Sequence, residues 1–288
     1  VTEILGGKEL AASIRNQVAA AAEELRNDGT VPKVAIVVAT EGEGTLSYVR
    51  SIVRAAAATG IEAEVVSLPG DADAAAVVAT LTRVAEDPRI HGVLLQTPLP
   101  DGMSASEVAL RIPAAKDVDG ANPLSLGLLT AGLPSFAPAT AVAVMELLAH
   151  HSIRLAGRTV AVVGRSTVVG KPLAQLLLAA NATVTICHSK TSELHEVTSA
   201  ANVVIAAAGS PHLIGSDHVS VGSVVIDVGT NVDADGNLLG DVDGEAVDGV
   251  AAARSPVPGG VGPVTTAVLL RHVVEAAQPT VTPGKIAT

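Results

Sequence analysis

Aromatic residues are almost missing from this chain, which has one Phe, one Tyr and no Trp among 288 residues. Its core must be built from Val, Leu, Ile and Ala, and an apolar fraction of 48% allows a sizeable one. The same scarcity singles out Tyr48, the only side chain that offers an aromatic face with a hydroxyl. Cysteine is nearly absent too. The lone Cys187 excludes an intramolecular disulfide and a multi-cysteine metal site. Basic residues are outnumbered, 18 Lys and Arg against 29 Asp and Glu, and a net charge of −11 argues against nucleic acid or an anionic membrane as partner. No apolar run reaches membrane-spanning length and the N-terminus lacks a signal-peptide pattern, so a soluble, cytoplasmic protein is expected. No metal site is expected either. His150 and His151 are sequence neighbours, which do not face each other on a helix, and no acid–histidine cluster has ligand spacing.

What is present is alternation. An Ala-rich helix from Glu9 to Arg26 stops at Asn27-Asp-Gly29. A strand Lys33–Ala39, the glycine-rich Glu41-Gly-Glu-Gly44, a helix Ser47–Thr59 with Gly60 behind it, and a strand Ile61–Leu68 follow. A helix Asp73–Glu86 and a strand Gly92–Gln96 complete a βα pattern that implies a parallel sheet. Ligands in open α/β sheets gather at the C-terminal strand ends, so Gln96 is a candidate site residue or a simple loop cap. The polar turn Lys116-Asp-Val-Asp-Gly-Ala-Asn-Pro123 is a solvated loop or a ligand contact. A helix from Thr140 to His150 leads to a second βα series, with strands at 159–163, 182–189, 202–207 and 223–228. A short hairpin is expected over Asp233–Gly240 and a last helix from Thr265 to Ala277, with a disordered or adjunct tail over Thr280–Thr288.

The second series opens on Arg158-Thr-Val-Ala-Val-Val-Gly-Arg-Ser-Thr-Val-Val-Gly-Lys-Pro172. A buried strand, Gly164 and a helix N-terminus make an anion site, because free amides and the helix dipole point at the turn. Ser166 is placed to cap the helix, and Gly170 lets the helix press on the strand. The spacing is not the G-x-G-x-x-G of dinucleotide binding, and an ordinary βα turn would share it. The end of the next strand helps to decide. NAD-binding Rossmann domains carry an acid there for the ribose hydroxyls, whereas this chain has His188, Ser189 and Lys190. With Arg165 in the first turn, the pattern favours NADP as cofactor. His188 suits a cofactor contact or a hydrogen-bonded structural role, Asp227 a hydrogen bond to a neighbouring loop, and Lys171 phosphate or solvent. Ser255-Pro-Val-Pro-Gly-Gly-Val-Gly-Pro263 has little core-forming capacity and reads as a shaped loop.

Four stretches together, Gly164-Arg-Ser-x-x-Val-Gly-Lys-Pro172, Thr183-Val-Thr-Ile-Cys-His-Ser-Lys-Thr191, Val225-Ile-Asp-Val-Gly229 and Pro256-Val-Pro-Gly-Gly-Val-Gly-Pro263, resemble the bifunctional methylenetetrahydrofolate dehydrogenase/methenyltetrahydrofolate cyclohydrolases. Ser47-Tyr-Val-Arg50, Gln96-Thr-Pro-Leu-Pro100 and Lys116-Asp-Val-Asp-Gly120 extend the resemblance over essentially the whole chain. It implies an α/β fold of two lobes with a cleft between them. Residues 1–138 and 266–288 would form a parallel-sheet folate-binding lobe to which the C-terminal helix returns, and 139–265 a Rossmann-type NADP-binding lobe. A homodimer is implied as well. In the family reaction a hydride leaves the one-carbon bridge of 5,10-methylenetetrahydrofolate for the nicotinamide, and water then opens the methenyl product to 10-formyltetrahydrofolate. Carried over by position, Tyr48 stacks on the folate ring system, Gln96 is the active-site glutamine, and Asp119 accepts from the pterin edge. Pro98, Pro258, Gly259 and Gly262 line the folate pocket. Gly164, Arg165, Ser166, His188 and Ser189 hold the NADP ribose and phosphates, and Thr230 lies near the nicotinamide.

One position departs sharply. The family reads Tyr-Val-x-x-Lys-x-Lys-Ala where this chain reads Tyr48-Val-Arg-Ser-Ile-Val-Arg-Ala55, so Ile52 takes the place of the active-site lysine. Residues four apart share a helix face, which puts Ile52 beside Tyr48 and turns Arg50 and Arg54 away. Hydride transfer depends chiefly on positioning, whereas hydrolysis needs protons moved. The expectation is a dehydrogenase whose cyclohydrolase step is lost or weak. A catalytically silent or substrate-shifted protein that binds NADP and a folate-like ligand is the alternative. Further departures, Gly42-Glu-Gly-Thr45, Thr97, Asn122-Pro-Leu-Ser125 and Pro138-Ala-Thr-Ala-Val-Ala143, fall in the same lobe or at its border.

Overall fold

The computed structural model describes residues 1–40, 42–233 and 235–278. The tail expected over Thr280–Thr288, and Glu41 of the glycine-rich loop, lie outside the described residues. The first elements are β1 (Glu3–Ile4), α1 (Lys8–Asn27), β2 (Lys33–Val38), α2 (Glu43–Ala58), β3 (Glu62–Ser67), α3 (Ala74–Glu86), β4 (Gly92–Gln96), α4 (Ala105–Ala109), α5 (Pro123–Thr130) and α6 (Ala139–His150). There follow β5 (Thr159–Val163), α7 (Gly170–Ala179), β6 (Thr183–Cys187), α8 (Leu194–Ser199), β7 (Val203–Ala206), β8 (Val224–Asp227), β9 (Asn231–Val232), β10 (Leu238–Leu239), α9 (Gly244–Val247), β11 (Ala253–Arg254) and α10 (Val261–Ala277). The chain divides into two compact units, residues 12–139 with 266–278, and residues 1–11 with 140–265.

The first unit holds a parallel three-stranded sheet in the order β3-β2-β4. Its central strand is an unbroken apolar run because both faces are covered, with Val34 to Val38 all 1% exposed or less. Ala35 and Val37 pack with Val93 and Leu95 of β4 and with Val77, Leu81 and Val84 of α3. Asp73 starts α3 by accepting from the amide of Ala76 at 2.7 Å. Helix α2 begins at Glu43, four residues before the expected Ser47. The glycine run suggested a loop, but Glu43 belongs in a first turn, where the helix dipole favours an acid, and it pairs with Arg50. Helix α10 likewise begins at Val261 rather than Thr265. Gly262 and Pro263 sit in its first turn, where the amide missing from proline is not needed.

The second unit is a six-stranded sheet in the order β1-β11-β8-β7-β5-β6, with every pairing parallel. One face packs Ala161, Val163, Val204, Ala206 and Val225 against Ile214, Val242 and Val247. The antiparallel pair β9–β10 forms the expected hairpin. The expected 1–138 lobe is corrected at its N-terminus. Glu3 pairs with Ala253 and Ile4 with Arg254, so residues 1–11 belong to the larger sheet's unit. Thr2 secures the edge, its hydroxyl donating to Ala251 O and accepting from Gly249 N, both at 2.8 Å. A two-residue strand whose partner lies about 250 residues away has no local sequence signal.

Candidate cofactor and substrate sites

In the larger sheet the chain moves from β5 to β6 on one side and returns to β7 on the other side of β5. This reversal is a topological switch point, where open α/β sheets bind ligands beyond the carboxyl ends of the strands. Gly164 follows β5 with φ +135, and a Cβ there would lie 2.1 Å from Ala207 O, behind β7. A Cβ on Gly170 would lie 2.1 Å from Gly164 O. Both glycines are therefore required by close backbone approach. The Ser166 hydroxyl accepts from Val169 N at 3.1 Å and Gly170 N at 3.4 Å, capping the start of α7 from inside the turn. Arg165 is exposed and makes no hydrogen bond or ion pair among the described residues. Val163 pairs with Cys187, so Arg165 and Ser189 each lie two residues beyond a paired position. The amide of His188 donates to the Thr191 hydroxyl at 2.8 Å, and its Nδ1 accepts from Lys190 N at 3.2 Å. That tight turn leaves Ser189 and Lys190 exposed at its tip.

These features fit a dinucleotide phosphate: a glycine turn at a helix start, an unpaired guanidinium, and no carboxylate at the end of β6. Gly164→Ala is expected to destabilise the protein by about 2–4 kcal/mol, from the clash and the left-handed φ together. A denaturant midpoint checks this, and an unchanged midpoint would contradict the geometry.

Two buried carboxylates shape the neighbouring strand ends. Asp227 closes β8, and its oxygens accept from Gly229 N at 2.8 Å and from Asp241 N and Val242 N at 3.0 Å. Burial pushes its pKa up, against the pull of those three amides. One loop hydrogen bond is expected of Asp227 from its place in the sequence, and three are found. Asp241, which the sequence reading passed over, is 0% exposed. It accepts from Ala208 N, Gly209 N and Ser210 N behind β7, and from Asn231 Nδ2 behind β8. Thr230, exposed, stands between Gly229 and Asn231.

In the 12–139 unit, α2 buries Val49, Ile52 and Ala56 at helical spacing. Ile52 is 0% exposed, while Arg50 and Arg54 point to solvent. Tyr48, one turn before Ile52, keeps 40% of its surface exposed. Its hydroxyl is hydrogen-bonded by Thr266 and lies within reach of the Asp119 charge. Its pKa is therefore raised, chiefly by burial, then by the Asp119 charge. The structure thus brings Tyr48 and Asp119 together. Gln96 ends β4, its Nε2 donating to Thr97 O at 3.2 Å, and Thr97–Pro98 is cis. Pro98 lines a pocket of about 600 Å³ with Thr40, Gly70, Asp71, Leu99 and Asp101, and neither Tyr48 nor Asp119 borders it.

The turn that carries Asp119 is fixed on every side. Asp117 accepts from Ala121 N and Asn122 N at 2.9 Å and from the Ser125 hydroxyl at 2.6 Å. Gly120 has φ +64, and a Cβ there would meet Pro138 N at 2.5 Å. His272 of α10, also unmarked by the sequence reading, bonds Val118 O through Nδ1 at 2.8 Å and packs on Phe136. Burial lowers its pKa to about 4, so it is neutral and its Nδ1–H is the donor. Asp119 itself accepts no hydrogen bond among the described residues. Its pKa is pushed up to about 7, by burial first and then by the neighbouring Asp117. A carboxyl that titrates near neutrality without a protein partner is equipped to receive a ligand's N–H groups.

In the other unit, Val257–Pro258 is cis, and Pro258 and Gly259 border a pocket of about 420 Å³ with Lys8, His150 and His151. Gly262 lies in the first turn of α10 rather than in the loop. Among the described residues one trio of possible metal ligands converges, Glu193, His195 and Glu196, all exposed.

The fold and these strand ends define an α/β protein with a dinucleotide-type binding unit and a smaller parallel-sheet unit. Residues 5–119 match the catalytic domain, and residues 138–281 the NAD(P)-binding domain, of tetrahydrofolate dehydrogenase/cyclohydrolase. The chain belongs to that family. It is 56% identical over 277 residues to bifunctional protein FolD 1 of Rhodococcus jostii, covering 96% of this chain and 93% of that protein. The crystal structure of the bifunctional FolD dehydrogenase/cyclohydrolase from Campylobacter jejuni superposes with a TM-score of 0.93 at 37% identity, over 96% of this chain and 99% of that one. The Trypanosoma brucei enzyme, complexed with NADP cofactor and inhibitor, has a TM-score of 0.90 at 33% identity, over 94% and 96% of the two chains.

Proposed function

We propose that this chain oxidises 5,10-methylenetetrahydrofolate to the methenyl form with NADP and lacks an effective cyclohydrolase step. Bound NADP would supply the hydride acceptor. Gly164, Arg165, Ser166, His188 and Ser189 would hold its ribose and phosphates, and Thr230 would lie near the nicotinamide. Tyr48 would present its ring to the folate, Asp119 would accept from the pterin edge, and Gln96 and Pro98 would complete the contacts from the same unit. Pro258, Gly259 and Gly262 would line the folate pocket. A homodimer in the cytoplasm completes the reading.

The observation that carries it is the burial of Ile52. Opening the methenyl ring requires water to be activated and protons to be moved, work worth roughly a hundred- to ten-thousand-fold in rate. An isoleucine that is 0% exposed neither gives nor takes a proton, and Arg50 is engaged with Glu43 at the surface. Hydride transfer needs two carbons held in line, a task of position that leaves the lysine dispensable. The alternative, a protein that binds NADP and a folate-like ligand without turnover, draws on the same residue.

One assay separates the readings. Adding methylenetetrahydrofolate and NADP to the purified protein is expected to form NADPH without catalysed loss of the methenyl product. NADP binding without NADPH formation supports the silent alternative, and catalysed hydrolysis of methenyltetrahydrofolate sinks the claim about Ile52. Cofactor choice has its own test. Arg165→Gln is expected to raise the KM for NADP roughly tenfold or more, the worth of one charge-assisted contact, and to leave the KM for NAD unchanged. Equal effects on both would remove the 2′-phosphate from the Arg165 account.

A further inference from the structure

Three consecutive amides, Ala208, Gly209 and Ser210, point at one carboxylate, at 2.6, 2.9 and 2.9 Å from Asp241. A run of amides turned to one side is an anion-binding nest, and here the anion is internal. The fourth donor is Asn231 Nδ2 at 2.8 Å. We propose that Asp241 is a positioning residue for the nicotinamide end of the NADP site, holding the loops behind β7 and β8 in the shape that presents Thr230. The inference rests on the NADP reading of this unit.

Three observations carry it. The four donors come only from the two segments that follow the carboxyl ends of adjacent strands, β7 and β8, the place where open α/β sheets take their ligands. Thr230 is exposed between two anchored neighbours. Asn231 is tied by its side chain to Asp241, and Gly229 is packed so tightly that a Cβ would lie 2.3 Å from Asp241 N and 2.6 Å from its Oδ1. The hub is itself fixed, because Asp241 N donates to Asp227 Oδ1, which also takes Gly229 N at 2.8 Å. Two carboxylates in series thus join three segments of chain without using any outward-facing group. Stability alone does not call for a buried charge, since apolar packing serves it as well. A carboxylate is required rather than an amide. Asp241 meets donors on both oxygens, and an asparagine would turn its own NH2 group against part of them.

The experiment compares the wild type, Asp241→Asn and Asn231→Ala. Adenosine 2′,5′-bisphosphate probes the phosphate end alone, NADPH probes both ends, and hydrogen exchange of the ligand-free protein reports the loop. In Asp241→Asn, exchange at residues 208–210 is expected to speed up and adenosine 2′,5′-bisphosphate to bind as in the wild type. NADPH affinity should fall about tenfold, one hydrogen bond to a charged group, and kcat at saturating substrates about a hundredfold, from misplacement of reacting groups. Asn231→Ala, which removes one donor, should give the same pattern with smaller effects, and it decides the matter if Asp241→Asn does not fold. NADPH affinity and kcat matching the wild type in the folded variants would overturn the proposal. So would equal losses of adenosine 2′,5′-bisphosphate and NADPH affinity together with a lower Tm, the mark of a purely structural role. A wild type that binds neither nucleotide overturns the NADP reading itself, and the proposal with it.

Discussion

Ile52→Lys is expected to raise hydrolysis of 5,10-methenyltetrahydrofolate at least about a hundredfold above the wild-type protein, the lower end of what general acid–base catalysis supplies. The position is on the buried stripe of α2, one turn from Tyr48, and is 0% exposed. An amine placed there loses hydration, which lowers its pKa and makes it a better proton acceptor near neutrality. The same burial costs stability, because a desolvated charge replaces an apolar side chain, and the unfolding midpoint should fall. Hydride transfer should change little. The check is methenyl consumption and NADPH formation followed side by side in both proteins. If the variant folds and gains no hydrolysis, the loss is spread through the unit, with the altered residues around Thr97 and Asn122 as the next suspects.

Asp119 gives the second large effect. With a pKa pushed up to about 7, it is half ionised at neutral pH. Two N–H donors from a pterin edge bind the ionised form, so folate affinity should rise with pH through about 7 and then level off. Asp119→Asn removes the charge, flattens that profile, and raises the KM for the folate about a hundredfold, the worth of two charge-assisted hydrogen bonds at about 1.5 kcal/mol each. Stability follows the opposite course. The folded protein holds the Asp119 proton more tightly than the unfolded chain, so between the ordinary aspartate pKa and about 7 stability falls as pH rises. Asp119→Asn should therefore exceed the wild type in Tm above neutrality and not below pH 4. A pH-independent KM in the wild type would contradict the assignment.

Legibility from sequence followed the range of the interactions. Strands β2 and β5 were readable because a central parallel strand must be apolar on both faces, and the edge strand β4 because it too is buried on both faces, which leaves an unbroken run in each. The helix starts of α2 and α10 were read four residues late, because Gly and Pro signal a loop in sequence yet are tolerated in a first turn. β1 and β11 were invisible, since two residues carry no periodicity and the pairing between them spans most of the chain. The site divides in the same way. Gly164, Gly170 and Ser166 lie within one turn, and their roles could be argued from spacing. Asp241 could not be found like this: its donors lie 31 to 33 residues away at Ala208 to Ser210 and 10 away at Asn231. A buried carboxylate that satisfies loop amides looks like any surface acid until the loops are folded over it. His272 is the same case, a lone histidine in an apolar helix whose single bond reaches Val118, 154 residues away.

The half-exposed Tyr48 also decides how this protein can be watched. With no Trp and no second Tyr, its tyrosine emission comes from a single side chain. That side chain stands on α2, one turn from Ile52, with its hydroxyl within reach of the Asp119 charge. Quenching or recovery of intrinsic fluorescence during a titration therefore reports on one known place, with no label and no background from elsewhere in the chain.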